Sequence, residues 1–361
     1  MSTIDRYVRA VGDVDTVFPT AFDTWLRWDY DDGRKALLDL YEKGKKKQWN
    51  ASERIDWSAD LDPENPSQLP DEGLAIFGTP IYERMSEADR IQFRRHFQAW
   101  QISQFLHGEQ GALVCSAKIV QQVPRMDAKF YAATQVVDEA RHVEAYSRLL
   151  HEKFELAYPV SPPLKALLED VLEDSRWDMT YLGMQVLIEG LALAAFASIR
   201  DYAQNPLAAS VNAYVMQDEA RHVAFGRLSL RDYYPELSQA ERDEREEFAA
   251  EACYLMRDRF QALEVYETLG LPVDECAEYA MESEAAVRFR RRLFTRIVPM
   301  MKDIGLWGPR IRKAYADMGV LEFAGADIGD MTARDETVAE EFEADIRARM
   351  AEVESISPQA E

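Results

Sequence analysis

The hexapeptide DEARHV occurs at residues 138–143 and again at residues 218–223, writing Glu-x-x-His twice into the chain. Glu139 and His142, like Glu219 and His222, stand three residues apart. On a helix that is one turn along and about 60° around, so each pair shares a face. Two further glutamates sit where burial is costly: Glu189 in MQVLIEGLALAAFASI and Glu109 at the mostly apolar end of a long helical run. Glu109 to Glu139 is 30 residues, and Glu189 to Glu219 is also 30 residues. The first interval has its midpoint at Pro124 and the second beside Asn205-Pro206, both expected turns. In an antiparallel helical hairpin, residues equidistant from the turn lie level, here about 15 residues or roughly 22 Å from it.

Four carboxylates and two imidazoles therefore converge. Buried charges need ion pairs or a metal, and two divalent cations would match four carboxylates. Oxygen and nitrogen donors without thiolate suit iron or manganese better than structural zinc. The plainer alternative is a duplicated structural hairpin whose acids pair with Arg141 and Arg221. A metal-bound histidine usually donates its second N–H to a carboxylate, so Asp138 and Asp218 are expected to hold the histidine of the opposite copy. Arg141 and Arg221 would then neutralise them; surface ion pairs are the simpler reading of these four. Tyr146, four residues after His142, falls on the metal-facing stripe as a redox candidate or a packed ring, and Gly226 replaces it in the second copy. His96, His107 and His151 fall off the ligand level and are expected to be structural or exposed.

The helices that must position these groups are legible from their ends. Ser86 to Asp89 reads as a capping box starting a helix that Pro124 interrupts. A second helix is expected from about Arg125 to Phe154. A third starts with Ser161 as cap and Pro162 at the first position and runs to about Tyr202, and a fourth runs from Asn205-Pro206 to about Tyr233. Ser238 and Glu241 form another capping box, opening a fifth helix expected to reach about Tyr266. A sixth follows Pro272, and shorter pieces lie between Arg296 and Ala316. Residues 20–49 look helical and aromatic-rich, residues 61–80 irregular, and no strand-like alternation is present. The expected organisation is an N-terminal helical or irregular extension over 1–85, a di-metal bundle over 86–233, additional helices over 234–320 and an acidic tail over 321–361.

Composition narrows the partners. The 361 residues carry 42 basic and 65 acidic side chains, a net charge of -23, so phosphate backbones and anionic membranes are repelled and no nucleic-acid partner is expected. Residues 321–361 alone hold 12 acidic and 3 basic residues, which reads as a solvated tail. Three cysteines without a CxxC spacing are too few for a four-cysteine iron–sulfur centre and suit a reducing compartment. No signal peptide or membrane-spanning run is expected, which points to the cytoplasm.

At these residues the chain resembles the di-iron carboxylate proteins: ferritin-like oxidases, the small subunit of class I ribonucleotide reductase and the hydroxylase subunits of bacterial multicomponent monooxygenases. DEARH in both copies is most similar to the monooxygenase pattern DExRH, and the segment HGEQGALVCSAKIVQQVPRMDAKFYAATQVVDEARH looks like their first hairpin. The resemblance covers residues 86–233 and implies an all-α fold, a ferritin-like four-helix bundle with flanking helices. It assigns Glu109, Glu139, His142, Glu189, Glu219 and His222 to the six ligand positions. It also implies two iron ions, or a Mn/Fe pair, with O2 as co-substrate, and makes a homodimer unsurprising. Two positions depart: Leu193 stands where those monooxygenases carry threonine, and Val215 where arylamine N-oxygenases carry a seventh, histidine ligand. Tyr146 is spaced like the radical tyrosine of the reductase subunit, but no Tyr or Trp follows Tyr315 to carry a radical onward.

The leading expectation is an oxygen-activating di-iron oxidoreductase that hydroxylates or otherwise oxidises a small organic substrate. No flavin or nicotinamide fingerprint is present, so electrons must come from a ferredoxin or reductase. The alternatives are a ferroxidase or iron store and a radical-generating Mn/Fe or di-iron oxidase.

Overall fold

Two helical hairpins, each built around one copy of the repeat, form the centre of the molecule. The computed structural model describes residues 33–331 together with 333, 334 and 337. The reading of residues 20–32 as helical, the rest of the N-terminal extension and most of the acidic tail lie outside these residues. Among the described residues there is no β-strand. Helix α1 spans Lys35–Lys46, α2 Glu87–Gln122 and α3 Met126–Arg148, which continues as a π-helical turn over Leu149–Phe154. Helix α4 covers Pro162–Glu173, α5 Trp177–Tyr202 and α6 Pro206–Tyr233. The outer helices are α7 Gln239–Asp258, α8 Leu263–Thr268, α9 Val273–Glu282, α10 Glu284–Asp303 and α11 Pro309–Asp317.

Local chemistry sets the bundle ends where expected. The Ser86 and Asp89 side chains satisfy each other's backbone N–H groups in a full capping box. Asn205 accepts from the N–H groups of Leu207 and Ala208, and Ser238 with Glu241 forms the second box. Helices α2 and α3 pack along their length, as do α5 and α6; α1 lies across α3 and α6, and α10 covers α5.

Four expectations are corrected. The third helix does not run unbroken from Ser161 to Tyr202, because the chain turns at residues 174–176. There the Asp174 carboxylate accepts from the backbone N–H of Arg176 at 2.8 Å and from its guanidinium at 2.6 Å. The end of α4 is closed from another helix: buried Lys118 on α2 donates to the carbonyls of Val171 at 3.0 Å, Leu172 at 2.9 Å and Asp174 at 2.6 Å. These are the carbonyls a helix end leaves without partners. Ser161 occupies the N-cap of α4 without a side-chain bond.

The fifth helix stops at Asp258, where a 3-10 turn over Arg259–Gln261 ends at Ala262 in the left-handed region, φ 56°. The shorter pieces expected after Arg296 are instead the end of α10, a 20-residue helix with Pro299 inside it, followed by α11.

Helix α5 is long and apolar enough to cross a membrane by length and composition, against the expectation of no such run. Most of that stretch, 89%, is buried inside the protein, so it is apolar on every face because it runs through the centre. Its residues Tyr181–Ile188 are π-helical, immediately before Glu189. π-helical turns of this kind are frequent at functional sites.

The Lys118→Met variant is expected to lower unfolding stability by about 3 kcal/mol, since three carbonyls lose a charged donor and stay buried. Urea denaturation followed by circular dichroism checks this. A loss below about 1 kcal/mol would show that α4 is not held by this contact.

Candidate metal centre

The two Glu-x-x-His faces and the two level glutamates meet inside the bundle, all six side chains buried. Glu109 comes from α2, Glu139 and His142 from α3, Glu189 from α5, and Glu219 and His222 from α6. They form two overlapping groups, one of Glu109, Glu139, His142 and Glu219 and one of Glu139, Glu189 and His222, with the possible ligand atoms of each group within 4.8 Å of one another. His142 Nδ1 lies 3.2 Å from Glu109, 3.2 Å from Glu139 and 3.1 Å from Glu219. His222 Nδ1 lies 3.0 Å from Glu139 and 3.3 Å from Glu219. Both rings thus turn Nδ1 inward.

The outward ring nitrogens cross between the repeats. His142 Nε2 faces Asp218 at 3.1 Å, and His222 Nε2 faces Asp138 at 3.2 Å. Arg141 donates to Asp138 at 2.5 Å and to Asp218 at 2.8 Å, while Arg221 pairs with Asp218. All four charges are buried, which removes the surface-pair reading. An N–H directed at the aspartate leaves Nδ1 as a lone pair aimed at the carboxylates, as a metal requires.

Sequence reading missed the groups that close this ring from the N-terminal side. Gln48 donates to Asp138 at 2.7 Å and accepts from Arg141 at 2.7 Å; the Trp49 indole donates to Asp218 at 2.8 Å. The Arg141 guanidinium lies over the Trp49 ring, 4.7 Å from its centroid. Helix α1 positions both, and no motif marks them; only a polar pair at the end of a helical segment was visible. Gln135 and Asn212 were missed likewise. Gln135 donates to Glu139 at 2.9 Å and Glu189 at 3.0 Å, and Asn212 accepts from the Tyr146 hydroxyl at 3.0 Å.

The donor chemistry fits a pair of metal ions. Glu139 Oε2, Glu189 Oε2, both Glu219 oxygens and His222 Nδ1 are buried without a hydrogen-bond partner among the described residues. Buried polar atoms rarely stay unpaired. Burial, then Glu219, raises the Glu109 carboxyl well above its ordinary range; burial, then Glu219 and Glu139, does the same to Glu189. Burial also pushes Glu139 upward, but His222 and His142 overcome it and hold that carboxylate low. Burial works against protonated imidazole, yet the surrounding acids raise both His142 and His222 well above their usual value. Without metal, the cluster balances its charge with protons.

A cleft of about 20 Å3 opens on this cluster, lined by Glu109, Glu189, Glu219, Ala192, Phe196 and Arg259 among others. Arg259 is buried and forms no ion pair among the described residues, and burial alone lowers its guanidinium to about 10. The next residue, Phe260, lines a separate cavity of about 500 Å3 with Phe97, Trp100, Ile199 and Tyr202. That cavity lies one turn further along α2 and α5. Leu193 faces neither; it lines a small cleft with Ala220, Val223 and Met300. Cys115 is buried outside the cleft, and Val215 is buried and offers no donor. His96 and His107 meet Tyr158, His96 at its hydroxyl and His107 at its carbonyl, away from the cluster. Gly226 replaces a second Tyr146 because a Cβ there would lie 2.5 Å from Gln185 Cβ.

The family model for p-aminobenzoate N-oxygenase AurF matches residues 31–305. Among solved structures, an R2-like ligand-binding oxidase variant with an anaerobically reconstituted Mn/Fe cofactor is similar at 17% identity, covering 77% of this chain and 96% of that chain, with a TM-score of 0.52. A second variant of that oxidase gives 17% identity, the same coverage and a TM-score of 0.50. Protein 19 with aldehyde deformylating oxidase activity from Synechococcus is similar at 14% identity over 63% of this chain and 97% of that chain, with a TM-score of 0.45. At such identity the oxidase comparison speaks for the fold alone, a ferritin-like helical bundle. No curated protein matches the chain.

Metal loading is expected to weaken as pH falls. Glu109, Glu189, His142 and His222 all have raised values, so each holds its proton further up the pH scale, and an entering cation must displace it. Affinity should change about tenfold per pH unit for each proton displaced. Anaerobic Co2+ titration between pH 6 and pH 8 in weak buffer reads both affinity and protons released. Loading that is independent of pH and releases no protons would contradict this charge balance.

Proposed function

The chain belongs to the p-aminobenzoate N-oxygenase AurF family, and from that premise we propose that its O2-activating di-iron centre oxidises a small organic substrate carrying an anionic group. Glu109, Glu139, His142, Glu189, Glu219 and His222 are the proposed metal ligands. The observation that carries this is the set of buried oxygens of Glu139, Glu189 and Glu219 and the His222 Nδ1, gathered in one place without hydrogen-bond partners among the described residues. Two bound iron ions, or a Mn/Fe pair, supply the coordination positions and electrons for reducing O2. Asp138 and Asp218 fix the imidazole tautomers, and Arg141 and Arg221 hold those aspartates in place through ion pairs. Leu191, Ile188, Met184 and Phe196 line the cleft and exclude water from the reacting end of the substrate.

In this reading the substrate approaches from the outer cavity that Phe260 lines, and Arg259, on the wall of the cleft, is the cation available to its anionic group. A buried guanidinium without a carboxylate is costly to maintain, and an anionic ligand offsets that cost. The family name specifies p-aminobenzoate, which has one carboxylate and one amine. Residues 86–233 are the proposed catalytic unit, 1–85 and 234–320 its walls, and 321–361 a solvated tail. Electrons come from an external donor such as a ferredoxin or reductase. Three free, buried cysteines suit a reducing, cytoplasmic setting, and a homodimer is the proposed assembly.

A second reading, a radical-generating oxidase, rests on Tyr146, buried beside Glu109 and His142 with its hydroxyl on Asn212. The neutral Asn212 amide is a poor acceptor for the proton that Tyr146 would release on oxidation.

Glu189→Ala is expected to lose the second metal and O2 consumption while keeping helix content, read by metal analysis and circular dichroism. A variant retaining two metals per chain would overturn the ligand assignment. A single O2 pulse on the loaded wild type separates the functions. Substrate-dependent O2 uptake supports the oxygenase, bulk ferric mineral an iron store, and a tyrosyl radical signal lost in Tyr146→Phe the second reading. Arg259→Met should raise KM for p-aminobenzoate at least about tenfold and leave p-aminobenzamide unchanged. An equal effect on both compounds would remove Arg259 from anion recognition.

A further inference from the structure

The two halves of the centre are unequal. Glu109, Glu139, His142 and Glu219 bring donor atoms within 4.8 Å of one another, whereas Glu189 gathers in this way only with Glu139 and His222, although Glu219 also lies 3.3 Å from His222 Nδ1. Glu189 is also the one of the four acids that forms no ion pair with an imidazole among the described residues. His142 or His222 lies within 3.3 Å of each of the other three. The only hydrogen bond recorded on Glu189 among the described residues is from Gln135. The Gln135 amide nitrogen serves Glu139 at 2.9 Å and Glu189 at 3.0 Å. Its side chain is fully buried, and its carbonyl oxygen has no partner among the described residues.

We propose that Gln135 is a positioning residue for the half of the centre formed by Glu139, Glu189 and His222, holding the Glu189 carboxylate in place for its metal. The proposal rests on the assignment of these three residues as ligands. An amide has two N–H donors on one nitrogen, and both are directed to carboxylates here. Turning the amide over would set its carbonyl oxygen against two carboxylates, so the orientation follows from the charges. Gln135 stands four residues before Glu139, one turn up the same face of α3. The matching position before Glu219 is Val215, which has no hydrogen-bonding side chain. The tether therefore exists once, and it serves the side of the centre that holds Glu189. Outer partners of this kind typically change metal affinity about 10–100-fold.

The test is anaerobic Co2+ titration of the full chain and of Gln135→Met, which keeps the volume and removes both donors. Stoichiometry, chelator competition and the cobalt visible spectrum are the readouts. The first Co2+ should bind as in wild type, the second at least about tenfold more weakly and with an altered spectrum. Gln135→Asn keeps the amide one methylene short of its partners and should show the same selective loss, which decides the matter if Gln135→Met does not fold. Wild-type affinity and spectrum in both variants would overturn the proposal, as would equal weakening of both Co2+ ions, the mark of a general packing defect. A wild-type chain that binds no metal pair would instead overturn the ligand assignment.

Discussion

Four carboxylates concentrated in an apolar interior are the constraint to which the rest of the molecule answers. Glu109, Glu139, Glu189 and Glu219 are all buried. Such a group of like charges cannot stay fully ionised in a low-dielectric interior without cations. The inner answer is two imidazoles and a pair of metal ions. The outer answer is a neutral ring of two aspartates and two arginines, arranged so that each aspartate serves the histidine of the other repeat. Breaking one partner out of such a ring leaves an uncompensated buried charge, so the six inner groups and the four outer ones behave as one electrostatic unit.

That unit also explains why helix α1 belongs to the bundle. Asp138 and Asp218 each receive a further donor from outside the repeats, Gln48 and Trp49 respectively. Both side chains come from the end of α1, which packs against α3 and α6. The N-terminal region therefore completes hydrogen bonding that the duplicated hairpins leave open. On the opposite side, the turn after α7 supplies Arg259 to the cleft and Phe260 to the outer cavity. The helices flanking the bundle thus reach the centre from two sides, one orienting the histidines and the other lining the approach to the carboxylates.

The all-α bundle and the convergence of its six central side chains were legible because they rest on local and periodic signals. Capping boxes fix helix starts within a residue, and equal 30-residue intervals across two turns set the glutamates level. The crossing of Asp138 and Asp218 between repeats was also readable, since a ligand histidine needs an outer acceptor and an aspartate preceded each glutamate. What escaped reading depends on tertiary contact. The break between α4 and α5 is stabilised by Lys118 from another helix, 53 to 56 residues away in sequence. An apolar run such as α5 looks continuous to any periodicity argument, because burial on all faces erases the period. The π-helical turn before Glu189 has no sequence signature either, and beyond it Ala192 lines the cleft whereas Leu193 lines another.

The mismatches between the repeats divide by cause. Gly226 opposite Tyr146 is steric, forced by the approach of Gln185 on α5, so the absence of a second tyrosine there carries no message about chemistry. Val215 opposite Gln135 is different in kind, because Val215 is a buried residue with ample side chain that simply offers no polar atom. A duplicated scaffold supplies equal ligand heights to both halves, and symmetry alone would make the two metal positions equivalent. O2 reduction at a pair of metals does not require equivalence, and the single amide at Gln135 breaks it next to Glu189, which forms no ion pair with an imidazole among the described residues. The fold thus sets where the donors stand, while unpaired substitutions within it set how firmly each is held.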